Sequence, residues 1–497
     1  MNIHNIIAPP PTPNGGLHIG HLSGPYLHAD IFKKYLELNN IKTNYVVSTD
    51  DHQSYVDITA SKLNIARETL ITNSRNEIKE VFNAFSINLN KFSKINENYK
   101  SYALNFFASL YSKKIITKKF VNVLYDNQEN RYAFEAFIYG RCPNCLSKSA
   151  GGICESCGHP NNCLDLVHYD KTRYEIRVEE RLVFKLDTYK ERIKAYLDKL
   201  YLRPSLYNLI NELFKTSLPD YVISYNSDIG IKTDFAGLPE QRINVWAEMY
   251  AGHIFFLQES FKSAIEKDNK YTQFLGFDNS YFYVILHLAL GFAAKDAGLN
   301  VLLPTSFITN QFYNLGIKKF STSQRHVLWA IDFAKKYNPD SIRIYLAKNS
   351  PEFQENSFIE QEFIQETREI LDKINLLINL YNSHEKDIPL QKSEISSNYL
   401  TLIKSIIGVD EKTYCSKRNF DRTMNLFNTI IEEIQNKNYS VLQFVPQILK
   451  ITLYPLCPNW VSELPIKFKI IDFYNDNFSI KNSEFFFLPQ LTLLNKK

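Results

Sequence analysis

The chain reads PTPNGGLHIGH from Pro11 to His21. An apolar run at 2–8 precedes this stretch and an amphipathic segment at 22–38 follows it, so it lies at a predicted strand-to-helix turn. At such a turn, His18 and His21 can both face a phosphate held over the helix N-terminus, and the glycines let the backbone approach that ligand closely. We therefore expect a nucleotide site. The alternative is a glycine-rich turn that carries two surface histidines.

A second apolar run, at 44–48, follows the predicted helix. The order strand, helix, strand predicts a parallel sheet with a right-handed crossover, and such sheets bind ligands beyond the carboxyl ends of their strands. Sheet-like segments resume at 242–246 and 272–275, and a helix at 279–298 precedes a short strand at 301–304. The predicted fold class is therefore α/β, with a Rossmann-like parallel sheet at its centre.

Two further regions accompany this sheet. A cysteine-rich segment interrupts the α/β pattern, and after Gly316 amphipathic helices predominate, which indicates a helical bundle. We expect the two halves of the α/β domain at 1–115 and 216–325, an insertion at 116–215, and the helical bundle at 326–497.

The composition excludes several classes of protein. The 497 residues carry a net charge of +4, and 44% of them are hydrophobic, which is ordinary for a globular chain and excludes disorder or a collagen-like repeat. The longest apolar run, at 281–294, is too short for the ~20 residues of a membrane-spanning helix. The N-terminal residues lack the basic start and apolar core of a signal peptide. We therefore expect a cytoplasmic protein with no membrane partner.

Four of the seven cysteines lie in one short stretch, Cys142-x2-Cys145-x8-Cys154-x2-Cys157. Each CxxC turn offers two thiolates to one tetrahedral ion, so the two turns together complete a four-thiolate Zn²⁺ site. Because four thiolates leave no open position, this zinc is expected to be structural. The alternative, free cysteines that only pack, fits the spacing poorly. An odd total concentrated in CxxC pairs also argues against a disulfide framework.

A basic loop, GIKKFSTS at 316–323, ends the α/β region. A lysine on such a loop, Lys319, can close over a bound triphosphate and neutralise charge that develops in the transition state. Taken alone, the same residues are more typical of a solvated basic loop.

Together, PTPNGGLHIGH and this loop resemble the paired HIGH and KMSKS motifs of class I aminoacyl-tRNA synthetases. The chain is similar to the methionyl-tRNA synthetases over nearly its whole length. In that family the cysteines belong to the connective insertion, and the helical bundle corresponds to the anticodon-binding domain. The further matching stretches, in the same order, are STDDH at 48–52, GRCPNC at 140–145, Val245-Trp246, Gly276-Phe277-Asp278 and DSIR at 340–343.

The resemblance implies a reaction and its catalytic residues. ATP, with Mg²⁺, and an amino acid would form an aminoacyl-adenylate with release of pyrophosphate, and the acyl group would then pass to tRNA. His18 and His21 would stabilise the α-phosphate, and Lys319 would cover the leaving pyrophosphate. The residues that the resemblance assigns to ATP are Asn14, Gly15, His18, Gly20, His21, Gly276, Asp278, Lys319 and Ser321.

The amino-acid pocket implied by the resemblance departs from the family pattern. Asp50 matches the carboxylate that holds the substrate α-amino group, and Trp246 is kept as a pocket wall. Because hydrophobic pockets discriminate by only ~1–3 kcal/mol per methylene, changes at the other positions could redirect specificity, and we expect methionine to be a poor substrate. The residues of this pocket, with the usual family residue in parentheses where it differs, are Thr12 (Tyr), Asp50, Trp246, Met249 (Ala), His253 (Tyr) and Tyr283 (His).

Two other family features are missing. Thr322 replaces the second lysine of KMSKS, and the chain contains no Pro-Trp pair, which reads the anticodon in the family. The leading hypothesis is an ATP-dependent aminoacyl-tRNA synthetase that acts on tRNA. The alternatives are a divergent paralogue that activates another amino acid for a different acceptor, an RNA-binding pseudoenzyme, and a nucleotidylyltransferase. The last shares the HxGH site but not the zinc insertion or helical tail. The sequence predicts no oligomeric state.

Overall fold

The computed structural model describes residues 2–319, 326–384, 393–410, 412–464, 479–480 and 487–495. Among these residues, no helix is both long enough and apolar enough to cross a membrane. A five-stranded parallel sheet forms the centre of the α/β region. From one edge to the other its strands are Ser306–Asn310, Lys270–Gly276, Ile3–Ile7, Lys42–Val47 and Lys91–Phe92.

The first strand, Ile3–Ile7, lies in the middle of this sheet and is buried on both faces. Ile6 packs into one apolar core and Ile7 into a second core on the opposite face, so both faces of the strand are covered. Ile6 pairs with Tyr45 on one side and with Thr272 on the other, both in parallel register. The predicted βαβ unit and its parallel sheet are confirmed.

The helix that follows the first strand is kinked. It begins at Ile19–His21, passes through a π-helical stretch at Leu22–Tyr26 and continues as Leu27–Leu38. Gly24 has non-helical dihedral angles and Pro25 lacks an N–H, so the kink lies at this pair. The other helices of the region are Ser54–Leu63, Arg67–Ala84, Glu97–Ser112, Val245–Ser260 and, after a π-helical stretch at Tyr281–Leu286, His287–Asp296.

Two strands differ from the sequence expectation. The strand expected at 242–246 ends at Ile243, because the Asn244 side chain accepts a hydrogen bond from the Trp246 N–H and begins a helix there. The strand expected at 301–304 is not formed. The sheet strand begins only at Ser306, after Pro304, which has no N–H to donate to a neighbouring strand.

The insertion is built on a long antiparallel ribbon, in which Ile116–Asp126 pairs with Tyr174–Phe184. Strands between 221 and 243 pair with this ribbon or with one another, and none of them joins the central sheet. We therefore propose that the insertion ends near Asn244 rather than at 215. Its other elements are the strands Arg131–Ala133, Tyr139–Arg141, Lys148–Ala150, Gly152–Ile153, Pro160–Asn161, Tyr221–Val222, Ser224–Asn226, Lys232–Thr233 and Leu238–Ile243, and the helices Lys190–Leu197 and Pro204–Leu213.

The C-terminal region is helical, as predicted. Short strands accompany the helices: Tyr313–Leu315 lies between Lys318–Lys319 and Asn356–Phe358, and Ser393–Glu394 pairs with Ser479–Ile480. The helices are Ala330–Lys336, Pro339–Lys348, Glu360–Ser383, Ser397–Ile407, Ser416–Gln435, Val445–Leu453 and Pro458–Glu463.

A buried arginine joins the bundle to the α/β region. The Arg343 guanidinium lies 2.8 Å from the Asp30 carboxylate and donates to the backbone carbonyls of Phe85, Pro455 and Leu456 at 2.7, 2.6 and 3.2 Å. Asp30 also pairs with the buried Lys34 at 2.5 Å, so removing Asp30 would leave two buried cations without their carboxylate, which is strongly destabilising. This contact therefore fixes the bundle against the helix that follows the first strand.

Candidate active site

A cavity of about 390 Å³ opens at the carboxyl ends of the central strands. Pro10, Asp50, Gly276 and Asn310, which end or follow four neighbouring strands of the sheet, line it. Parallel sheets bind their ligands at this edge. Of the residues predicted from the sequence, those that line the cavity are Thr12, His18, Gly20, His21, Asp50, Trp246, Met249, Gly276, Asp278 and Tyr283.

Three of the predicted residues lie beside the cavity and do not line it. Asn14 and Gly15 form part of the turn that precedes the two histidines, and Gly15 has a φ of +155°, which residues with a side chain rarely adopt. His253 lines a smaller cavity behind the main one. Their assignment to ATP and to the amino acid stays a prediction.

The predicted lysine loop falls partly outside the described residues. Lys319 ends a short antiparallel hairpin, while Ser321 and Thr322 lie outside the described part of the chain, as does the Lys319 side chain. After this segment, Trp329 forms an antiparallel backbone bridge with His18. The described chain that follows the loop therefore passes beside the histidine pair at Trp329.

The two predicted histidines share one helix N-terminus. The His21 N–H donates to His18 Nδ1 at 3.2 Å, and the His18 N–H donates to His21 Nδ1 at 3.5 Å. Because both Nδ1 atoms accept, each neutral ring carries its hydrogen on Nε2. Burial, reinforced by the neighbouring His21, lowers the pKa of His18 to about 2. His18 is therefore a neutral hydrogen-bond donor at physiological pH.

Gly276 and Asp278 form the opposite wall of the cavity. A Cβ atom added to Gly276 would lie 2.6 Å from Asp278 Oδ1, closer than such atoms approach in proteins. The Asp278 carboxylate therefore lies directly over the backbone of Gly276, and a side chain at position 276 would displace it. The resemblance assigns both residues to ATP, and the structure brings them to the same cavity as the histidines.

Asp50 lies within a group of carboxylates. Burial raises the pKa of Asp50 well above its ordinary value, and the neighbouring Glu135 and Glu248 raise it further. An ammonium group placed beside Asp50 would reverse this shift, because it favours the charged form. The cavity is therefore electrostatically suited to an amino group at this point.

Glu248 is a functional candidate that the sequence analysis missed. Its Oε1 accepts from His52 Nδ1 at 2.8 Å and from the Tyr99 hydroxyl at 2.6 Å, while Oε2 has no hydrogen-bond partner in the part of the chain that the structure describes. Burial alone would lower the pKa of His52, and the Glu248 and Asp51 carboxylates together raise it. The signal available in the sequence was the position of Glu248, two residues after Trp246.

Glu135 is a second missed candidate, and it comes from the insertion. Its side chain is 5% exposed and Oε2 accepts from the Ser54 hydroxyl at 3.0 Å. No described residue forms a hydrogen bond with Oε1. Burial raises the pKa of Glu135 to about 7, against the opposing effect of the Ser54 hydrogen bond. No local pattern in the sequence distinguishes this glutamate, because only the folding of the insertion against Asp50 gives it a role.

Aromatic side chains form the apolar end of the site. The Trp246 indole stacks on Phe282 with ring centroids 4.0 Å apart, and His287 Nε2 lies 2.9 Å from the Trp246 carbonyl oxygen. Tyr283 packs parallel to His253, with centroids 5.8 Å apart. These contacts fix the wall that the sequence assigned to the amino-acid side chain.

The four predicted cysteines converge on one point in the insertion. Their Sγ atoms all lie within 4.8 Å of one another, with Cys142 and Cys157 3.8 Å apart and Cys145 and Cys154 3.6 Å apart. Four thiolates at Zn–S distances of about 2.3 Å in a tetrahedron are separated by about 3.8 Å, so the set fits a zinc ion. All seven cysteines of the chain are free thiols, as expected for a metal site without a disulfide framework.

Comparison with known families gives one match over most of the chain. The model of the family described as "tRNA synthetases class I (M)" matches residues 4–382, which include the histidine pair, the insertion and the beginning of the bundle.

Similar sequences carry a consistent name. The methionine–tRNA ligase of Flavobacterium johnsoniae is 25% identical over 482 residues, which cover 91% of this chain and 67% of that protein. The methionine–tRNA ligase of Streptococcus pneumoniae is 28% identical over 392 residues, or 74% of this chain and 70% of that protein.

Among solved structures, Mycobacterium tuberculosis methionyl-tRNA synthetase in complex with methionyl-adenylate is similar, with a TM-score of 0.72 and 15% identity. The alignment covers 95% of this chain and 94% of that one. At this identity the likeness establishes the shared fold: a parallel α/β domain, its insertion and a helical C-terminal region.

Proposed function

Because the chain belongs to the class I tRNA synthetases of the methionyl type, we propose that it is an ATP-dependent aminoacyl-tRNA ligase. In this proposal, methionine and ATP form methionyl-adenylate and pyrophosphate, and the methionyl group then passes to tRNA. The altered pocket residues still predict that this chain uses methionine poorly. The observation that carries it is the cavity itself, in which His18 and His21 face the same space as Asp50. The relatives named above are all methionine–tRNA ligases, and none of these names supports an acceptor other than tRNA.

In the activation step, a carboxylate oxygen of the amino acid attacks the α-phosphorus of ATP while the bond to the β-phosphate oxygen breaks. The Nε2–H groups of His18 and His21 donate to the α-phosphate oxygens as their negative charge rearranges. His18 is neutral, so it acts as a preorganised dipole. No covalent enzyme intermediate is needed, and the rate enhancement comes from positioning and electrostatic stabilisation.

Asp50 orients the amino acid for this attack. Its carboxylate accepts the α-ammonium group, and the partly unsatisfied Glu135 and Glu248 add negative potential around the same point. The ammonium group lowers the pKa of Asp50 again and keeps it ionised. Trp246 and the residues behind it enclose the side chain of the amino acid.

Lys319 and the following residues are proposed to cover the leaving pyrophosphate. Trp329, which follows this segment in the chain, forms a backbone bridge with His18, and this supports the assignment. ATP is proposed to enter with Mg²⁺, which would neutralise charge on the β- and γ-phosphates. Since Thr322 replaces the second motif lysine, Lys318 is proposed to supply part of the missing charge.

Cys142, Cys145, Cys154 and Cys157 are proposed to hold a structural zinc ion. Bound there, zinc supplies a cross-link between two short hairpins of the insertion. Free thiols throughout the chain suit a reducing compartment, which supports the proposal that the protein acts in the cytoplasm.

Transfer of radiolabelled methionine to tRNA tests the proposed function. ATP-dependent, acid-precipitable methionyl-tRNA is the expected product. If no tRNA from the native source accepts methionine, the proposed ligase activity is wrong.

A further inference from the structure

Met249 separates two cavities. Its side chain lines the large cavity and also a small cavity of about 20 Å³ behind it, which has room for about one water molecule. Asp50 and Pro10 line both cavities as well, and Met249 itself is 7% exposed. Truncating Met249 at Cβ would therefore join the two spaces beside Asp50.

Tyr283 holds the Met249 thioether in place. The Tyr283 hydroxyl donates to Met249 Sδ at 2.9 Å, and both side chains are buried. The Tyr283 ring packs parallel to His253 and lies edge-on to His287, with centroids 5.8 and 4.9 Å apart. A thioether is a weak acceptor, but a ring fixed on two sides gives this hydrogen bond a defined direction. Met249 is thus held in the conformation that closes off the small cavity.

The far wall of the small cavity carries polar atoms without partners. Glu248 Oε2 and His253 Nε2 are both buried and have no hydrogen-bond partner among the described residues, and both residues line this cavity. An amino acid whose α-ammonium group lies at Asp50 meets the Met249 side chain before it reaches these groups. The thioether therefore limits how far the substrate side chain can extend.

We propose that Met249, held by Tyr283, is the residue that determines the length of the amino-acid side chain accepted by this site. The inference rests on the proposed function, because it takes Asp50 as the anchor of the α-ammonium group. Methionine fits fully only when the Met249 side chain leaves the position that Tyr283 gives it. Short side chains fit with Met249 in place.

Calorimetric binding of two amino acids to the full-length protein tests this proposal. The probes are methionine and 2-aminobutyrate, which has a shorter side chain, each measured on the wild type, Met249→Ala and Met249→Val. We expect the affinity ratio of methionine to 2-aminobutyrate to rise by at least about tenfold in Met249→Ala, and by less in Met249→Val. Tyr283→Phe keeps the ring but removes the donor, and it should raise the ratio to a smaller extent.

Met424→Ala is the matched control, because Met424 is similarly buried, at 8% exposure, but lies in the helical bundle. It should leave the ratio within about twofold of the wild type, within ordinary error of such comparisons. An unchanged ratio in both Met249 variants overturns the proposal, as does a failure of every variant to bind either amino acid.

ATP–pyrophosphate exchange on the same proteins separates this inference from the proposed function. If the binding ratio shifts but no protein gives exchange, Met249 limits the side chain and the proposed ligase activity is wrong. If the wild type gives exchange and the ratio does not shift, the ligase activity stands and Met249 does not determine specificity.

Discussion

The imidazole rings of His18 and His21 stack with centroids 3.6 Å apart, and each Nδ1 faces the backbone N–H of the other residue. This reciprocal pairing satisfies two N–H groups that a helix N-terminus leaves without partners. It also fixes both rings so that each hydrogen lies on Nε2. The two histidines therefore cap the start of the helix and, at the same time, direct their Nε2–H groups toward one cavity.

Acid should destabilise the protein through its buried neutral histidines, and His4 gives a clean test. Burial and the nearby Lys270 lower the pKa of His4 to about 3, so below pH 6.5 the unfolded chain takes up a proton that the folded chain does not. The free energy of unfolding should therefore decrease as the pH is lowered, by about 2 kcal/mol for this group from pH 7 to pH 5. Urea denaturation of wild type and His4→Gln should show the wild type losing this amount relative to the variant. If the difference in unfolding free energy between the two proteins does not change with pH, His4 is not buried in its neutral form.

Glu135 should have the opposite pH dependence. Its pKa is raised to about 7 from an ordinary value of 4.5, so between these two pH values the unfolded chain gives up a proton that the folded chain keeps. Relative to Glu135→Gln, the wild type should lose about 2.5 kcal/mol of unfolding free energy between pH 5 and pH 8, most of it below pH 7. Guanidinium denaturation at the two pH values measures this difference. Equal changes in both proteins would show that Glu135 has a partner when ionised.

Local patterns in the sequence were sufficient to predict the parts of the site that are formed by residues close together in the chain. The stretch from Pro11 to His21 predicted a turn that carries two donors, and the spacing of the cysteines predicted one metal centre. Both predictions depend on residues within one or two turns of each other. The structure places the histidines on one cavity and the four sulfur atoms within 4.8 Å.

Longer-range relationships could not be predicted in this way. Glu135 acquires its role only because the insertion folds against Asp50, and no periodicity in its neighbourhood marks it. The strand expected at 242–246 was shortened by a competing local signal, the Asn244 side chain that begins a helix. Pairing of 221–222 with the insertion ribbon likewise depends on a partner strand almost forty residues earlier in the chain.

Removing two cysteines should remove the metal. Purified wild-type protein should contain about one zinc ion per chain by mass spectrometry, because four thiolates satisfy the tetrahedral preference of zinc. Cys154→Ser/Cys157→Ser should contain almost none. Cys415→Ser, which changes a buried cysteine of the bundle, should keep its zinc. Unchanged zinc in the double variant would place the metal elsewhere.

The helical bundle should not read the anticodon with a stacked tryptophan. Trp460 is 5% exposed and its indole N–H donates to the Pro489 carbonyl oxygen at 2.9 Å, so this ring is not presented to a base. Each lost stacking contact with a base removes about 1–3 kcal/mol. Replacing CAU in a methionine tRNA should therefore change charging by less than about threefold, as measured by acceptance of labelled methionine. A drop of about a hundredfold would show that other residues read the anticodon.

Amino-acid-dependent ATP–pyrophosphate exchange is the most direct test of the proposed activation chemistry. The wild type should incorporate labelled pyrophosphate into ATP only when an amino acid is present, and His21→Ala should lower the rate by about a hundredfold, since it removes one donor to the developing charge. His384→Ala, at the far end of the helix Glu360–Ser383, should leave the rate unchanged. Absence of exchange with all twenty amino acids, or a His21→Ala rate within about threefold of the wild type, would contradict the account.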